Sequence, residues 1–430
     1  MALKKIAVCD GVVLNIIEKD KFKTNYISVN FITPLSSESA ALNALLPRVL
    51  KRGTVAHPDM ASLNRAYETL YSTTIYSRNY KRGEVQIVGF CASPLANDYI
   101  PDGTDVLDGT LKLMDEIIFS PLLEDGCFKA EYVESEKRML IDDVKAQINN
   151  KNRYALRRCE EEMCRGEVYG VSETGTAAEI EAITPASLYA CYKELLSGAK
   201  IEIFFVGKTD EEALIKSIKD VFIKCAHTVT APLTTEVIRK AGEAREVVED
   251  QPVAQGKLSL GFRTNCVLSD GNYHEFALMR ELYGGSTVSK LFMNVREKLS
   301  LCYYCSAIPE AHKGIMVVAS GIEVANKQKA QDEILAQLEA VKVGDFTEDD
   351  LAKAKRSIVN SYTELSDSPM SLESWYLGRA LAGLSTSPED AIELVMNTGR
   401  EAVMAAAQGV TLDTVYFMRG TLNAGGAENE

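Results

Sequence analysis

Apolar residues recur at three- and four-residue spacing through A-L-N-A-L-L-P-R-V-L-K-R-G-T, residues 41–54, so that Leu42, Leu45, Leu46, Val49 and Leu50 share one helical face. Ser36-Ser37-Glu38 is a start signal ahead of it, and Gly53 predicts a left-handed C-cap. Pro47 interrupts the pattern. It lacks the N–H that would bond the Asn43 carbonyl, which predicts a kink or an early end at a cost of about 3 kcal/mol. Before this helix, Tyr26 to Phe31 alternates as a strand that Pro34 closes. After it, the pattern predicts a helix from His57-Pro58 to Leu70 and two strands in Tyr76 to Ala92 around the turn Lys81-Arg82-Gly83. Further helices are expected over Leu107 to Ile118, over Cys127 to Glu167 with a break near Asn149-Asn150, and over Pro185 to Leu196. Ile201 to Val206 reads as a buried strand, followed by a helix from Asp210 to Phe222.

The stretch Ala226 to Gln255 mixes Thr, Pro, Lys and Glu with weak periodicity and reads as a linker. Then the pattern begins again. Lys257 to Phe262 echoes Tyr26 to Phe31, Ala277 to Ser286 echoes Leu45 to Thr54, and Gly314 before the strand Ile315 to Ala319 echoes Gly83. The offset stays at about 230 residues through strand, helix, glycine turn and strand, which is the signature of an internal duplication. Thr347 with Asp350 reads as a capping box, Val415 to Met418 as a closing strand, and the tail N-A-G-G-A-E-N-E as frayed. The expected fold class is α+β, with two homologous repeats, each a mainly antiparallel sheet packed on one side by helices. The expected division is 1–226 for the first domain, 227–255 for the linker and 256–430 for the second domain. Two such halves can face one another across a space, like a clamshell.

Charge narrows the partners. Lys+Arg 47 against Asp+Glu 61 gives −14, and no basic cluster stands out, which argues against nucleic acid and against an anionic membrane surface. Asp10 comes too early for the apolar core of a signal peptide, and no apolar run approaches the roughly 20 residues of a transmembrane helix. The ten cysteines then read as reduced thiols in a cytoplasmic protein.

Several motifs together resemble the insulinase/pitrilysin zinc peptidases. They are the helix ending K-R-G-T, Glu136-Lys137-Arg138-Met139-Leu140-Ile141-Asp142-Asp143, Glu167-Val168-Tyr169-Gly170, Phe205-Val206-Gly207, and the run Gly284 to Phe292 followed by Val295-Arg296-Glu297-Lys298 and Leu301-Cys302-Tyr303. The resemblance covers nearly the whole chain and implies the two-repeat fold. Members of that family carry H-x-x-E-H on the first helix, with two zinc-ligating histidines and a glutamate base, and a third ligand seven residues after a second glutamate. Here Ala44 and Arg48 stand at the histidine positions and Pro47 at the base. Glu136 matches the second glutamate and Asp143 the third ligand. Alanine cannot coordinate, arginine is a fixed cation and proline cannot accept a proton. Only Asp143 could still ligate. The expectation is a degenerate zinc site with no metal, no cofactor and no catalytic residue.

The resemblance assigns one further role. An Arg and a Tyr seven residues apart hydrogen-bond the substrate peptide, and Arg296 and Tyr303 match them. On the residues alone, Arg296 would pair with a carboxylate and Tyr303 would fill the core; with the surrounding motif, substrate binding is expected. The chain is thus identified with the non-catalytic branch of the family. It is expected to pair with an active zinc-bearing sibling as a hetero-oligomer, or with itself as a homodimer, and to help hold a peptide or small unfolded protein in a closed chamber. A peptidase with atypical ligands and a purely structural subunit are the alternatives.

Other candidate chemistry has plainer expectations. His57, His227, His274 and His312 have no second His or Cys at ligand spacing. Cys302-Tyr303-Tyr304-Cys305 is formally C-x-x-C, but on a regular strand residues three apart point to opposite faces, so two buried strand cysteines are expected. Cys159 and Cys164 read as helix-face residues, Glu160-Glu161-Glu162 as a solvated helix face, and Trp375 as packing between helices.

Overall fold

The computed structural model describes residues 3–229 and 231–422; the tail expected to fray, from Asn423 on, lies outside them. The strands are β1 (Lys4–Cys9), β2 (Val12–Glu18), β3 (Tyr26–Pro34), β4 (Tyr76–Arg82), β5 (Val85–Ala92), the two-residue pair β6 (Leu123–Glu124) and β7 (Cys127–Phe128), β8 (Lys200–Gly207), β9 (Arg245–Gln251), β10 (Gly256–Arg263), β11 (Cys302–Glu310), β12 (Ile315–Ile322) and β13 (Thr411–Gly420). One sheet runs β1-β2-β8-β3-β5-β4 and the other β11-β12-β10-β13-β9. In both, a parallel pair (β2 with β8, β9 with β13) joins an otherwise antiparallel set. The fold is α+β with mainly antiparallel sheets packed by helices. Among the described residues no helix is long and apolar enough to cross a membrane.

The first helix spans Ala40–Leu50 and runs through Pro47 for only three more residues. Its C-cap is Lys51 at φ −82°, and Gly53 is not left-handed, which corrects the expected cap. Glycine is required there for another reason: a Cβ on Gly53 would lie 2.6 Å from the Pro58 carbonyl oxygen. The next helix, Met60–Thr69, starts from a reciprocal Asp59–Ser62 capping box. The long helical stretch breaks where expected: Ala130–Ala146 ends, Gln147–Asn149 forms a 3₁₀ turn, and the Asn150 side chain caps Lys151–Met163.

Two compact units form, and neither is a contiguous block. The first comprises Met1–Lys145, Val171–Thr234 and Leu365–Leu381; the second comprises Ala146–Gly170, Thr235–Glu364 and Ala382–Glu430. Against the division 1–226, 227–255 and 256–430, the segments 146–170 and 365–381 change units, and the expected linker is divided between the units after Thr234. The reason is burial on both sheet faces. β3, β5, β8, β10 and β12 are almost entirely buried, so helices on one side are not enough cover. In the first unit, Leu372, Tyr376 and Leu377 of the helix Pro369–Leu381 pack on Ile17, Ile32, Ile87 and Phe204, with Trp375 at the edge of this cluster. In the second, Ala155, Cys159 and Met163 pack on Ile315, Val317, Tyr416 and Met418. Gly261 permits that approach, since a Cβ there would lie 2.8 Å from the Met163 sulfur.

Residues 227–255, expected as linker, include the edge strand β9, R-E-V-V-E-D-Q, paired in parallel with β13. As an edge strand it leaves most side chains wholly or partly exposed, so its composition carries little apolar signal. The acidic run is also corrected. Glu162 is buried, and Arg158 bonds both Glu161 at 2.6 Å and Glu162 at 2.9 Å, so this helix face is neutralised against the sheet and not solvated.

Candidate functional site

In the first unit the last turn of Ala40–Leu50 lies against the helix Ala130–Ala146. Arg48 Nη2 donates to Asp143 Oδ2 at 2.7 Å, so an ion pair occupies the positions that the resemblance gives to metal ligands. Asp143 keeps 60% of its side-chain exposure, which limits what the pair contributes to stability to about 0–1 kcal/mol. Glu136 is buried and pairs with Arg52 at 3.3 Å, not with Arg48. Burial pushes its carboxyl up from the ordinary value, against the lowering pull of Arg52 and Arg48. Ala44 and Pro47 are buried and add no donor. Lys51, held down from the usual ammonium range by burial, stands over the Tyr76 ring at 5.8 Å, and the Arg52 guanidinium lies 5.2 Å from the Tyr132 ring centre.

Three cations, Arg48, Lys51 and Arg52, thus face two carboxylates. A zinc ion needs three or four neutral or anionic donors around it, and this set offers fixed positive charge in their place. The residues do not fit the metal. Among the described residues no group of three or more His, Cys, Asp or Glu could hold a metal ion. Sequence reasoning quoted Lys51 and Arg52 only as part of a motif and gave them no role. Their signal was the run of cations at 48, 51 and 52, at and just beyond the end of the helix.

In the second unit the counterpart helix, Tyr273–Arg280, passes into a wide π-type turn at Glu281–Gly285. A second π-type segment, Leu291–Lys298, follows the glycine loop and carries Arg296. Gly284 is needed for close packing, since a Cβ there would lie 2.6 Å from the Leu291 side chain. π-type turns are rare, and single-turn ones are frequent at functional sites. The Arg296 carbonyl accepts from Ser300 N–H at 3.1 Å, tying the end of this segment to the turn that enters β11. The Arg296 guanidinium lies 4.6 Å from the Phe292 ring centre and approaches the Glu297 carboxylate at 3.7 Å. Its side chain is 40% exposed.

Tyr303 is 62% exposed. It does not fill the core. Cys302 pairs with Ile322 and Tyr304 with Gly321, so Tyr303 is the additional residue of a bulge. Cys302 and Cys305 are buried strand residues as expected, but the bulge puts both in the same core cluster, on one face and not on opposite ones. The histidines lie apart, His57 on Glu116 at 2.8 Å and His227 on the Ala199 carbonyl at 2.8 Å.

Known proteins resemble the chain along its length. Residues 182–358 match the Peptidase M16 inactive domain. The "Probable inactive metalloprotease YmfF" of Bacillus subtilis (strain 168) is 33% identical over 414 residues, covering 96% of this chain and 97% of that one. Among solved structures, a conserved protein from Enterococcus faecalis V583 matches with a TM-score of 0.89 at 26% identity over 100% of both chains. A peptidase M16 inactive domain from Pseudomonas fluorescens matches with a TM-score of 0.77 at 18% identity, over 98% of this chain and 99% of that one, a likeness of fold.

Proposed function

Since the chain belongs to the peptidase M16 family, as a homologue of an inactive metalloprotease, we propose that it is a non-catalytic partner subunit for an active, zinc-bearing sibling. In this reading Arg296 and Tyr303 are donated in trans to a peptide held at the sibling's metal. The observation that carries it is the state of those two side chains. Tyr303 is largely open to solvent, and the Arg296 side chain is partly exposed with only a long contact to Glu297, at 3.7 Å. A guanidinium and a phenol so presented can donate to a peptide carbonyl and to the oxyanion that develops from it. The Arg48–Asp143 pair supports the non-catalytic half of the reading, because it sets a cation where a hydrolytic metal would be needed. A peptidase with atypical ligands would need donors that Ala44 and Arg48 do not supply.

The test is coexpression with a sibling that carries an intact H-x-x-E-H, comparing wild type, Arg296→Ala and Tyr303→Phe at matched yield of complex. Loss of one donor is expected to lower kcat about 10²–10³-fold, by analogy with oxyanion-hole donors, with assembly intact. Unchanged turnover in both variants would leave the protein a scaffold. Failure to form any complex with such a sibling would reject the partner role itself, with a homodimer as the assembly to examine.

A further inference from the structure

Cys302 and Cys305 are three residues apart on β11, yet the bulge at Tyr303 changes their phase. Cys302 opposes Ile322 and Cys305 opposes Ser320, so the two cysteines stand against positions only two apart on β12. Two strand rises of about 3.3 Å place their Cα atoms roughly 6.6 Å apart. That lies at the upper edge of the span a disulfide tolerates, about 6.8 Å. In a regular strand the same C-x-x-C would point its thiols to opposite faces.

The surroundings suit a reactive pair. The Cys305 thiol donates toward Cys302, which draws the Cys302 thiol below its ordinary value and pushes that of Cys305 up; the Arg296 charge acts on Cys302 in the same direction. Ser320, fully buried, acts on both thiols to lower them, and its hydroxyl oxygen has no hydrogen-bond partner among the described residues. Elsewhere burial drives thiols the other way: Cys164, Cys191, Cys225 and Cys266 are each pushed up to about 12. Access is narrow, with Cys302 and Cys305 exposed by 8% and 6%, but β11 is the sheet edge and Tyr303, one of the two residues between them, is open. A small oxidant can reach such a site where a bulky disulfide cannot.

We propose that Cys302 and Cys305 form a peroxide-oxidisable dithiol that closes reversibly into an intrastrand disulfide. Cys302 loses its proton, and its thiolate attacks one oxygen of hydrogen peroxide. The O–O bond breaks, and the departing hydroxide takes up that proton as water, leaving Cys302 a sulfenic acid. The Cys305 sulfur then attacks the Cys302 sulfur and the S–O bond breaks. The oxygen leaves as a second water with the Cys305 proton. Two thiols are oxidised to one disulfide and one peroxide is reduced to two waters. Because the span is near its limit, the product is a strained bridge that thiols reopen readily.

The experiment treats the full-length reduced protein with equimolar hydrogen peroxide, blocks free thiols at intervals with an alkylating reagent, and follows every cysteine peptide by mass spectrometry. Cys302 and Cys305 are expected to lose label together, at least tenfold faster than the partly exposed Cys127, in a peptide two mass units lighter whose label returns after dithiothreitol. In Cys305→Ser, oxidation is expected to stop at a Cys302 sulfenic acid that dimedone traps. Loss of label no faster than at Cys127, or bridging of either thiol to a different cysteine, overturns the proposal. The wild-type rates decide this without any variant, so a misfolded variant does not obscure the result.

Discussion

Arg78 on β4 and Glu373 on the helix Pro369–Leu381 form a two-pronged ion pair across 295 residues of sequence, with Nη1–Oε1 at 2.6 Å and Nη2–Oε2 at 3.1 Å. Glu373 is fully buried, and Ser28 Oγ and Asn30 Nδ2 also donate to its Oε1. The second unit has a parallel arrangement. Arg263 on β10 reaches Glu167, beyond the helix Lys151–Met163, at 2.6 Å and Asp413 at 2.9 Å, while the buried Lys313 meets Glu167 at 2.8 Å. In each unit an arginine of the sheet holds a glutamate of the exchanged segment. Apolar packing lets such a segment lie on the sheet; the charge pair selects which face and register it takes.

Removing one partner of a buried pair strands the other charge. Glu373→Ala is therefore expected to cost about 3–5 kcal/mol, read as a drop in the urea midpoint. The double change Arg78→Met with Glu373→Leu should lose much less, because no charge is left buried. A cost below about 1 kcal/mol for Glu373→Ala would show that apolar contacts alone hold the helix.

Glu167 predicts an acid limb of stability. Burial raises its carboxyl, but hydrogen bonds and charge from Arg263 and Lys313 outweigh burial and hold it below the ordinary value. Between its folded value and the unfolded value of about 4.3, the unfolded chain binds more protons, so stability rises with pH there. The contribution is complete above that window and is lost as pH falls through it. Denaturant titrations from pH 7 to pH 3 should show this slope, shallower in Glu167→Gln; equal slopes would refute the assignment.

Asp143 is the contrasting case. Its pair with Arg48 is half open to water, so Asp143→Ala should change stability by less than about 1 kcal/mol. A loss of several kcal/mol would mean that the pair is far more shielded than its exposure indicates.

Zinc should not bind stoichiometrically. With Ala44 and Arg48 at the ligand positions, elemental analysis after dialysis is expected to find well under one zinc per chain, with no change in Asp143→Ala. About one zinc per chain, lost in Asp143→Ala, would show that these residues hold the metal after all.

Local periodicity and turn chemistry determined most of the elements. Leu42 to Leu50 had to be a short helix because of its spacing and Pro47, Asn150 had to mark a break, and Tyr26 to Phe31 had to be a strand. The side-chain identities at 44, 47, 48 and 143 likewise carried the loss of metal donors and the need of Arg48 for a counter-charge, which is chemistry that no fold can alter. The tertiary structure decided what depends on distant partners. A helix's apolar face does not say which sheet it covers, so the exchange of Lys151–Met163 and Pro369–Leu381 between the units was not legible. Strand phase is set by pairing with a neighbour, so one bulged residue, Tyr303, turned itself outward and brought Cys302 and Cys305 onto a single face. An edge strand buries little, and β9 therefore left almost no apolar trace in the residues that spell it.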